Sequence, residues 1–178
     1  MNKNILAFIL AATIGLTSQV VAQEKEQMQA SIPENSNVVS LTLKDGTSYV
    51  GEAKRKRPHG HGKAVYKNGD TYEGSFVNGK REGKGVYRFK DGEWYEGEFL
   101  ADGQHGKGVY HFADGCVYVG LWNIDYQHGH GRIDYPNGDF YVGTWAEDQR
   151  SGNGSYFFKS GASYTGEWKN GKGEWTAT

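Results

Sequence analysis

Cysteine and proline are scarce in this sequence, and long apolar runs are missing from most of it. The 178 residues include a single cysteine, Cys116, and three prolines. One thiol excludes a disulfide within the chain, although in an exported protein it could pair with another chain. We expect Cys116 to be a partly exposed thiol in a turn. After residue 22 the sequence has no membrane-length apolar segment and no helical periodicity, so strands and turns must make up its fold.

The N-terminal residues are typical of an exported protein. Residues 1–22 predict a signal peptide, with Lys3 at the positive start, an apolar stretch over residues 5–16 and small residues before Gln23. An uncleaved N-terminal anchor is the alternative interpretation. Residues 23–40 are mostly polar and contain no aromatic residue, which predicts a disordered linker. We therefore expect a periplasmic or secreted protein, either free or associated with a membrane.

From Tyr49 onward a motif recurs every 23 residues without interruption. Each copy begins with a tyrosine, has a glycine two residues later, and carries a Gly-x-Gly pair and a turn glycine further on. A large aromatic residue follows the first glycine in every copy except the first, which has Ala53. The tyrosines and large aromatic residues of copies two to six are Tyr72, Phe76, Tyr95, Phe99, Tyr118, Trp122, Tyr141, Trp145, Tyr164 and Trp168. Such self-similarity is typical of a repeat architecture.

Within each copy, alternating residues indicate two strands. In the third copy, Tyr95, Gly97 and Phe99 would share one face of a strand. Asp-Gly and Asn-Gly pairs favour hairpin turns. We expect an all-β fold, a single elongated twisted antiparallel meander of stacked β-hairpins over residues 41–178, with about twelve strands and the first strand over residues 41–44. Rings that cover the strand glycines would give one aromatic face, and the other face would be charged.

These residues resemble the MORN repeat (membrane occupation and recognition nexus). Residues 72–85 carry its pattern over the full unit, and the resemblance extends over five full copies and a shortened sixth, residues 164–175. The resemblance implies a sheet of stacked hairpins that acts as a scaffold, binds protein partners or, in some members, attaches to anionic phospholipid. MORN arrays also accompany lipid-kinase and methyltransferase domains, and we expect neither domain here.

The sequence offers no catalytic constellation. The Gly-x-Gly pairs recur five times without a helix, which favours a structural role over nucleotide binding. His59 with His61, and His128 with His130, could each offer two metal ligands, but no third convergent ligand is evident. We interpret these histidines as loop residues and expect no metal, no cofactor and no enzyme activity. An enzyme, such as a wall or lipid hydrolase, is the remaining alternative.

Charge is unevenly distributed along the repeats. Residues 49–92 contain eleven Lys and Arg against five Asp and Glu, whereas residues 93–178 contain six against twelve. The candidate patch for an anionic lipid surface consists of Lys54, Arg55, Lys56, Arg57, Lys80, Arg81 and Lys84. A solvated loop is the alternative interpretation of these charges. We expect no nucleic acid as a partner, because the chain is predicted to be exported and its second half is acidic.

These observations favour a non-catalytic, exported scaffold or protein-interaction module. Its unidentified protein partner would bind the aromatic face formed by the ten rings of copies two to six. The alternative is that these rings only cover one another. A second hypothesis is peripheral binding to anionic phospholipid through the basic N-terminal copies. Self-association is a further possibility, because the ends of an open sheet present unpaired edges.

Overall fold

The computed structural model describes residues 38–173, and every regular element within them is a β-strand. These strands form one antiparallel sheet in which each strand pairs only with its neighbours in sequence. The strands are β1 Val38–Thr42, β2 Ser48–Lys54, β3 Arg57–Val65, β4 Thr71–Val77, β5 Lys80–Arg88, β6 Trp94–Leu100, β7 Gly103–His111, β8 Val117–Asn123, β9 Tyr126–Asp134, β10 Phe140–Ala146, β11 Gln149–Phe157, β12 Ser163–Lys169 and β13 Lys172–Gly173. The predicted single antiparallel meander is confirmed. The predicted signal peptide lies outside the described residues.

The sheet starts earlier and has one more strand than expected. β1 begins at Val38, inside the predicted linker, and the predicted first strand at residues 41–44 overlaps only its end. Its valines and Leu41 favour an extended strand, and Leu41 lies opposite Tyr49 of β2. The chain then turns, with the Gly46 N–H donating to the Leu43 carbonyl. The additional strand is β13, a two-residue strand that pairs with β12.

A row of glycines runs across the sheet beside a row of tyrosines. Gly97 of β6 lies opposite Gly85 of β5 and Gly108 of β7, and this glycine row continues from β2 to β12. The ring of Tyr95 covers both Gly97 and Gly108, because a Cβ added at Gly108 would lie 2.3 Å from Tyr95 Cε2. The predicted packing of rings over strand glycines is therefore confirmed.

Edge-to-face ring contacts join each copy to the next. The Tyr95 ring lies 5.1 Å from Phe99 of its own copy and 5.3 Å from Trp122 of the following copy, at interplanar angles of 89° and 80°. The same alternation continues from Tyr49 to Tyr164. Because each such pair adds about 0.5–1.5 kcal/mol beyond area burial, the core is a ladder of neighbour contacts.

The tyrosine hydroxyls bind backbone carbonyls where the sheet is irregular. The register between β6 and β7 shifts after Gly97, and the Tyr95 hydroxyl donates to the Glu98 carbonyl at this shift, at 2.9 Å. The equivalent bond recurs in the other copies. Burial raises the pKa of Tyr49 and of Tyr141 to about 12. Each ring therefore fills the space over two glycines and also satisfies a polar group of the backbone.

Two-residue turns close the hairpins within each copy. The turn between β6 and β7 is Ala101-Asp102, with φ of 50° and 82°, and the turn between β8 and β9 is Ile124-Asp125, with φ of 45° and 69°. Positive φ at both positions is the type I′ geometry that matches the strand twist. Glycine and asparagine favour this geometry, and a β-branched residue such as Ile124 is costly in it.

The expectation of a charged outer face is wrong for the later copies. Val119, Leu121, Val142 and Phe157 are exposed, and Val119 and Leu121 alternate with the buried Tyr118. On an earlier part of this face Trp94 stacks on His111, with ring centroids 3.8 Å apart. The alternating pattern correctly predicted which rings face inward, but it does not require the residues on the outer face to be charged.

Candidate interaction groove

The ten rings expected to bind a partner lie in the interior of the repeat array. The tyrosines at the start of copies two to five, Tyr72, Tyr95, Tyr118 and Tyr141, are 0% exposed. Phe76, Phe99, Trp122, Trp145 and Trp168 are buried as well, and Tyr164 is partly exposed. Their burial favours the alternative interpretation, in which these rings cover one another. Of these ten rings, a partner can therefore reach mainly Trp122 and Trp145, which line a groove together with other side chains.

A groove of 760 Å³ lies mainly over copies three to five on the aromatic face, and Phe89 of copy two and Gly171 of copy six also line it. Apolar side chains line it, namely Phe89, Tyr110, Phe112, Trp122, Ile133, Tyr135 and Trp145. Polar side chains line it too, namely Gln104, Asp125, Gln127, Asp148, Gln149 and Arg150. Sequence reasoning missed most of these residues, because it followed the tyrosine that begins each copy and not the second strand. The available signal was the recurrence of Phe89, Phe112 and Tyr135 at the same 23-residue period.

Carboxylates in the turns between copies accept hydrogen bonds from the tyrosines on the second strand of a copy. Asp70 accepts the Tyr87 hydroxyl at 2.7 Å, and its other oxygen accepts the Lys90 N–H at 2.9 Å. Asp139 repeats this arrangement with Tyr156 at 2.9 Å, and Glu93 repeats it with Tyr110. Burial opposes ionisation of Asp70, but the hydrogen bonds outweigh it and hold the pKa of that carboxyl below its usual value. Of these three tyrosines, Tyr110 lines the groove, so Glu93 fixes part of the groove wall.

The pairing of a carboxylate with a tyrosine hydroxyl is missing at Cys116, where both members of the pair are replaced. Cys116 occupies the position of Asp70 and Asp139, and the residue that would carry the hydroxyl is Ile133. Both side chains are buried, so the expectation of a partly exposed thiol is wrong. Burial raises the pKa of the Cys116 thiol to about 11. A protonated, buried thiol is a poor nucleophile, which disfavours a disulfide between chains.

Arg81 does not belong to the basic surface patch. Its guanidinium lies 4.7 Å from the ring centre of Tyr87 and 5.4 Å from that of Phe99, on the aromatic face. It donates to the Asp102 carbonyl, and its Nε lies 3.5 Å from the Asp102 carboxylate. The prediction failed here because β5 begins at Lys80, before the Gly-x-Gly pair, and Arg81 is therefore a strand residue that faces inward.

The other six residues of the predicted basic patch lie at the surface. Arg55 and Lys56 form the turn between β2 and β3, and Lys54 lies directly opposite Arg57. Lys80 and Lys84 of β5 are exposed. Like charges opposite each other across a strand pair are destabilising, so an anion near this turn would relieve repulsion.

The histidines lie on strands, and their interpretation as loop residues is wrong. His59 and His61 belong to β3, His105 to β7, and His128 and His130 to β9. The cause is again that the second strand of each copy begins earlier than the sequence predicted. Within the described residues no group of three His, Cys, Asp or Glu side chains could hold a metal ion.

Six consecutive segments match the MORN repeat, at residues 49–71, 72–94, 95–117, 118–140, 141–163 and 164–175. The chain belongs to the MORN repeat family. MORN repeats are non-enzymatic modules that generally mediate contacts with proteins or membranes. Among residues 38–173 no helix has the length and apolarity to cross a membrane. The search of curated proteins found no match.

Several solved structures are similar to the sheet at low sequence identity. The TCP domain of SAS-4 from Drosophila melanogaster, solved with a proline-rich motif of Ana2, is 13% identical over 75% of this chain and 92% of that chain, with a TM-score of 0.27. A mutant TCP10 domain of Danio rerio CPAP is 12% identical over 72% and 82%, with a TM-score of 0.26. Virginiamycin B lyase from Staphylococcus aureus is 18% identical over 79% and 45%, with a TM-score of 0.20. These scores are too low to support a functional argument.

Proposed function

We propose that this MORN array is a non-catalytic protein-interaction module of an exported protein, and that its partner binds the groove over copies three to five. The observation that carries the proposal is the groove itself, 760 Å³ in volume, with apolar rings and polar side chains on one surface. Binding sites commonly combine an apolar lining with a few polar groups that fix orientation.

The groove is held in shape before any partner arrives. Trp122 contacts Tyr95, Tyr118 and Tyr110, and the Tyr110 hydroxyl donates to Glu93. Trp145 is fixed in the same way by Tyr118 and Tyr141. A rigid lining loses little conformational entropy when it binds, which favours a role as a scaffold.

Site-specific photo-crosslinking tests this proposal. A benzophenone amino acid replaces Gln149, an exposed residue that lines the groove, and in a control chain it replaces Val119, which is 47% exposed on the outer face. We expect discrete adducts with envelope or secreted proteins from position 149 and none from position 119. Adducts that form only from position 119 would place the partner on the outer face and contradict the proposal.

Peripheral binding to anionic phospholipid is a second candidate function. The supporting observation is the exposed turn at Arg55 and Lys56, flanked by Lys54 opposite Arg57. Each basic residue near an anionic surface adds about 1 kcal/mol. Sedimentation with anionic and neutral vesicles tests it.

A variant in which all four of these residues become serine should lose binding to anionic vesicles. The matched control replaces four exposed lysines elsewhere on the sheet, Lys67, Lys90, Lys107 and Lys159, by serine. Equal losses in both variants, or equal binding of the parent to neutral vesicles, would argue against a specific basic turn.

Export and self-association stay predictions of the sequence. N-terminal sequencing of the mature protein should begin at Gln23 if the signal peptide is cleaved. Self-association would join the open edges of β1 and β13 and should weaken with salt, because the two halves of the array carry opposite charge. Light scattering that shows a monomer at both low and high salt would exclude it.

A further inference from the structure

One inward-facing position near the start of each second strand changes identity along the array. It carries Arg81 in copy two, Gln104 in copy three, Gln127 in copy four and Arg150 in copy five. Each of these residues lies opposite the large aromatic residue of its own copy, as Gln104 lies opposite Phe99. The two arginines therefore bracket two glutamines whose side chains are shorter and uncharged.

The two arginines show how this fold holds a guanidinium. Arg150 places its guanidinium 4.4 Å from the Trp168 ring centre and 5.8 Å from that of Tyr156, and its Nη2 donates to the Gly171 carbonyl at 2.8 Å. Arg81 makes the equivalent contacts with Phe99, Tyr87 and the Asp102 carbonyl. In both copies the cation therefore lies over two rings and against the turn of the next hairpin.

Copy three has the same surroundings without the arginine. One period after Phe99, Tyr87 and Asp102 come Trp122, Tyr110 and Asp125. The Tyr110 and Trp122 rings lie 5.7 Å apart at 33°, close to the 6.3 Å and 32° of Tyr156 and Trp168 beside Arg150. Gln104, Tyr110, Trp122 and Asp125 all line the groove. The open groove thus includes the place that a guanidinium takes in the bracketing copies.

Charge favours the same occupant. The two ion pairs within residues 38–173 are Arg81 with Asp102 and Arg132 with Asp134. Asp125 and Asp148, which line the groove, therefore have no cationic partner in the described part of the chain. Trp122 takes the position that Phe99 has beside Arg81, and tryptophan is the ring that attracts a cation most strongly.

We propose that the groove binds an arginine side chain of the partner, with its guanidinium over Trp122 and Tyr110 and against the carbonyl and carboxylate of Asp125. This inference rests on the proposed function and specifies the partner as an arginine-bearing, basic peptide segment. Copy four offers a poorer site, because Ile133 replaces the second ring.

Titration with short capped peptides, followed by NMR at the Trp122 indole, tests the inference. The probe is a glycine pentapeptide with a central arginine, and the comparison peptide has citrulline, which keeps the shape and removes the charge. We expect the arginine peptide to shift the Trp122 indole and Asp125 amide signals, and the citrulline peptide to bind about tenfold more weakly.

Three variants separate the site from general charge effects. Gln104→Arg supplies the chain's own guanidinium, as copies two and five do, and should abolish the shifts while the fold is kept. Val119→Arg adds the same charge on the outer face and should leave them unchanged. Asp125→Asn keeps an oxygen for the Gln104 N–H, which donates to this side chain at 2.8 Å, and should weaken binding through the lost charge alone.

Equal binding of the arginine and citrulline peptides, or undiminished binding by the Gln104→Arg variant, would overturn the inference. If crosslinks from position 149 persist in that case, the groove binds its partner through other chemistry and the proposed function stands. If neither the crosslinks nor the peptide shifts are observed, both proposals fail.

Discussion

At the scale of single residues, the tyrosine ring over two glycines sets the tightest constraint in the molecule. Gly108 has no side chain because the Tyr95 ring occupies that volume, and both neighbouring strands hold the ring in place. The neighbouring Gly97 is restricted by the same ring. The constraint is steric, so it applies to every side chain larger than hydrogen.

Gly108→Ala should therefore destabilise the array. The added methyl would lie 2.3 Å from Tyr95 Cε2 and 2.4 Å from its hydroxyl, and neither can retreat from a packed ring. Overpacking of this kind costs about 1–3 kcal/mol. Urea unfolding followed by circular dichroism measures it, with Lys107→Ala at the exposed neighbouring position as the control. An unchanged midpoint for Gly108→Ala would contradict the ring-over-glycine packing.

Ile124→Asn should stabilise the protein. Ile124 is a β-branched residue with φ of 45° at an exposed turn, and asparagine tolerates this conformation far better. We expect a gain of about 1 kcal/mol in the free energy of unfolding. The reciprocal change Asn78→Ile, at φ of 52°, should cost a similar amount. Equal stabilities of both variants and the parent would show that the turns carry no strain.

At the scale of strands and turns, the missing carboxylate–tyrosine pair at Cys116 of copy three and Ile133 of copy four gives a paired prediction. Cys116→Asp alone would bury a carboxylate, and Ile133→Tyr alone would bury a hydroxyl without its acceptor. The double variant restores the arrangement of Asp139 with Tyr156. We expect a favourable coupling of about 0.5–3 kcal/mol in a double-mutant cycle of unfolding free energies. Additive effects of the two changes on the free energy of unfolding would show that the two introduced side chains do not interact.

The sequence predicted the first strand of each copy and the Asp-Gly turns, because alternation and turn chemistry are local. It did not predict where the second strands begin. The turns before β7 and β9 hold Ala101-Asp102 and Ile124-Asp125, which carry no glycine to mark them, and the Asn78-Gly79 turn before β5 was overlooked. Once β5 is extended back to Lys80, alternation from Tyr87 places Arg81 on the aromatic face. The groove could not be predicted from the sequence for another reason: its shape depends on contacts between copies.

At the scale of the whole molecule, the buried tyrosines make stability depend on pH at the alkaline end. Burial raises the pKa of Tyr49 and Tyr141 to about 12, from an ordinary value near 10. A pKa that is raised in the folded state gives stability that is complete below the unfolded value and is lost as the pH rises toward the folded one. The array should therefore lose stability between about pH 10 and 12.

Alkaline titration checks this expectation by following tyrosinate absorbance and circular dichroism together. Buried rings should ionise only as the strands are lost, so the two signals should change in one transition. Return to neutral pH should restore both. Full tyrosinate absorbance while the sheet signal is unchanged would show that the rings are more accessible than the structure indicates.

Because each strand bonds only to the strands before and after it in sequence, no contact ties distant parts of the sheet together. Excision of residues 118–140 would bring Trp145 to the place that Trp122 holds against Tyr95, so that one tryptophan replaces another. The same would be true of a duplicated segment. Gene duplication and deletion can thus lengthen or shorten such a protein by whole repeats. At each new junction the tyrosine of one copy would still meet an aromatic residue of the next copy at the equivalent position.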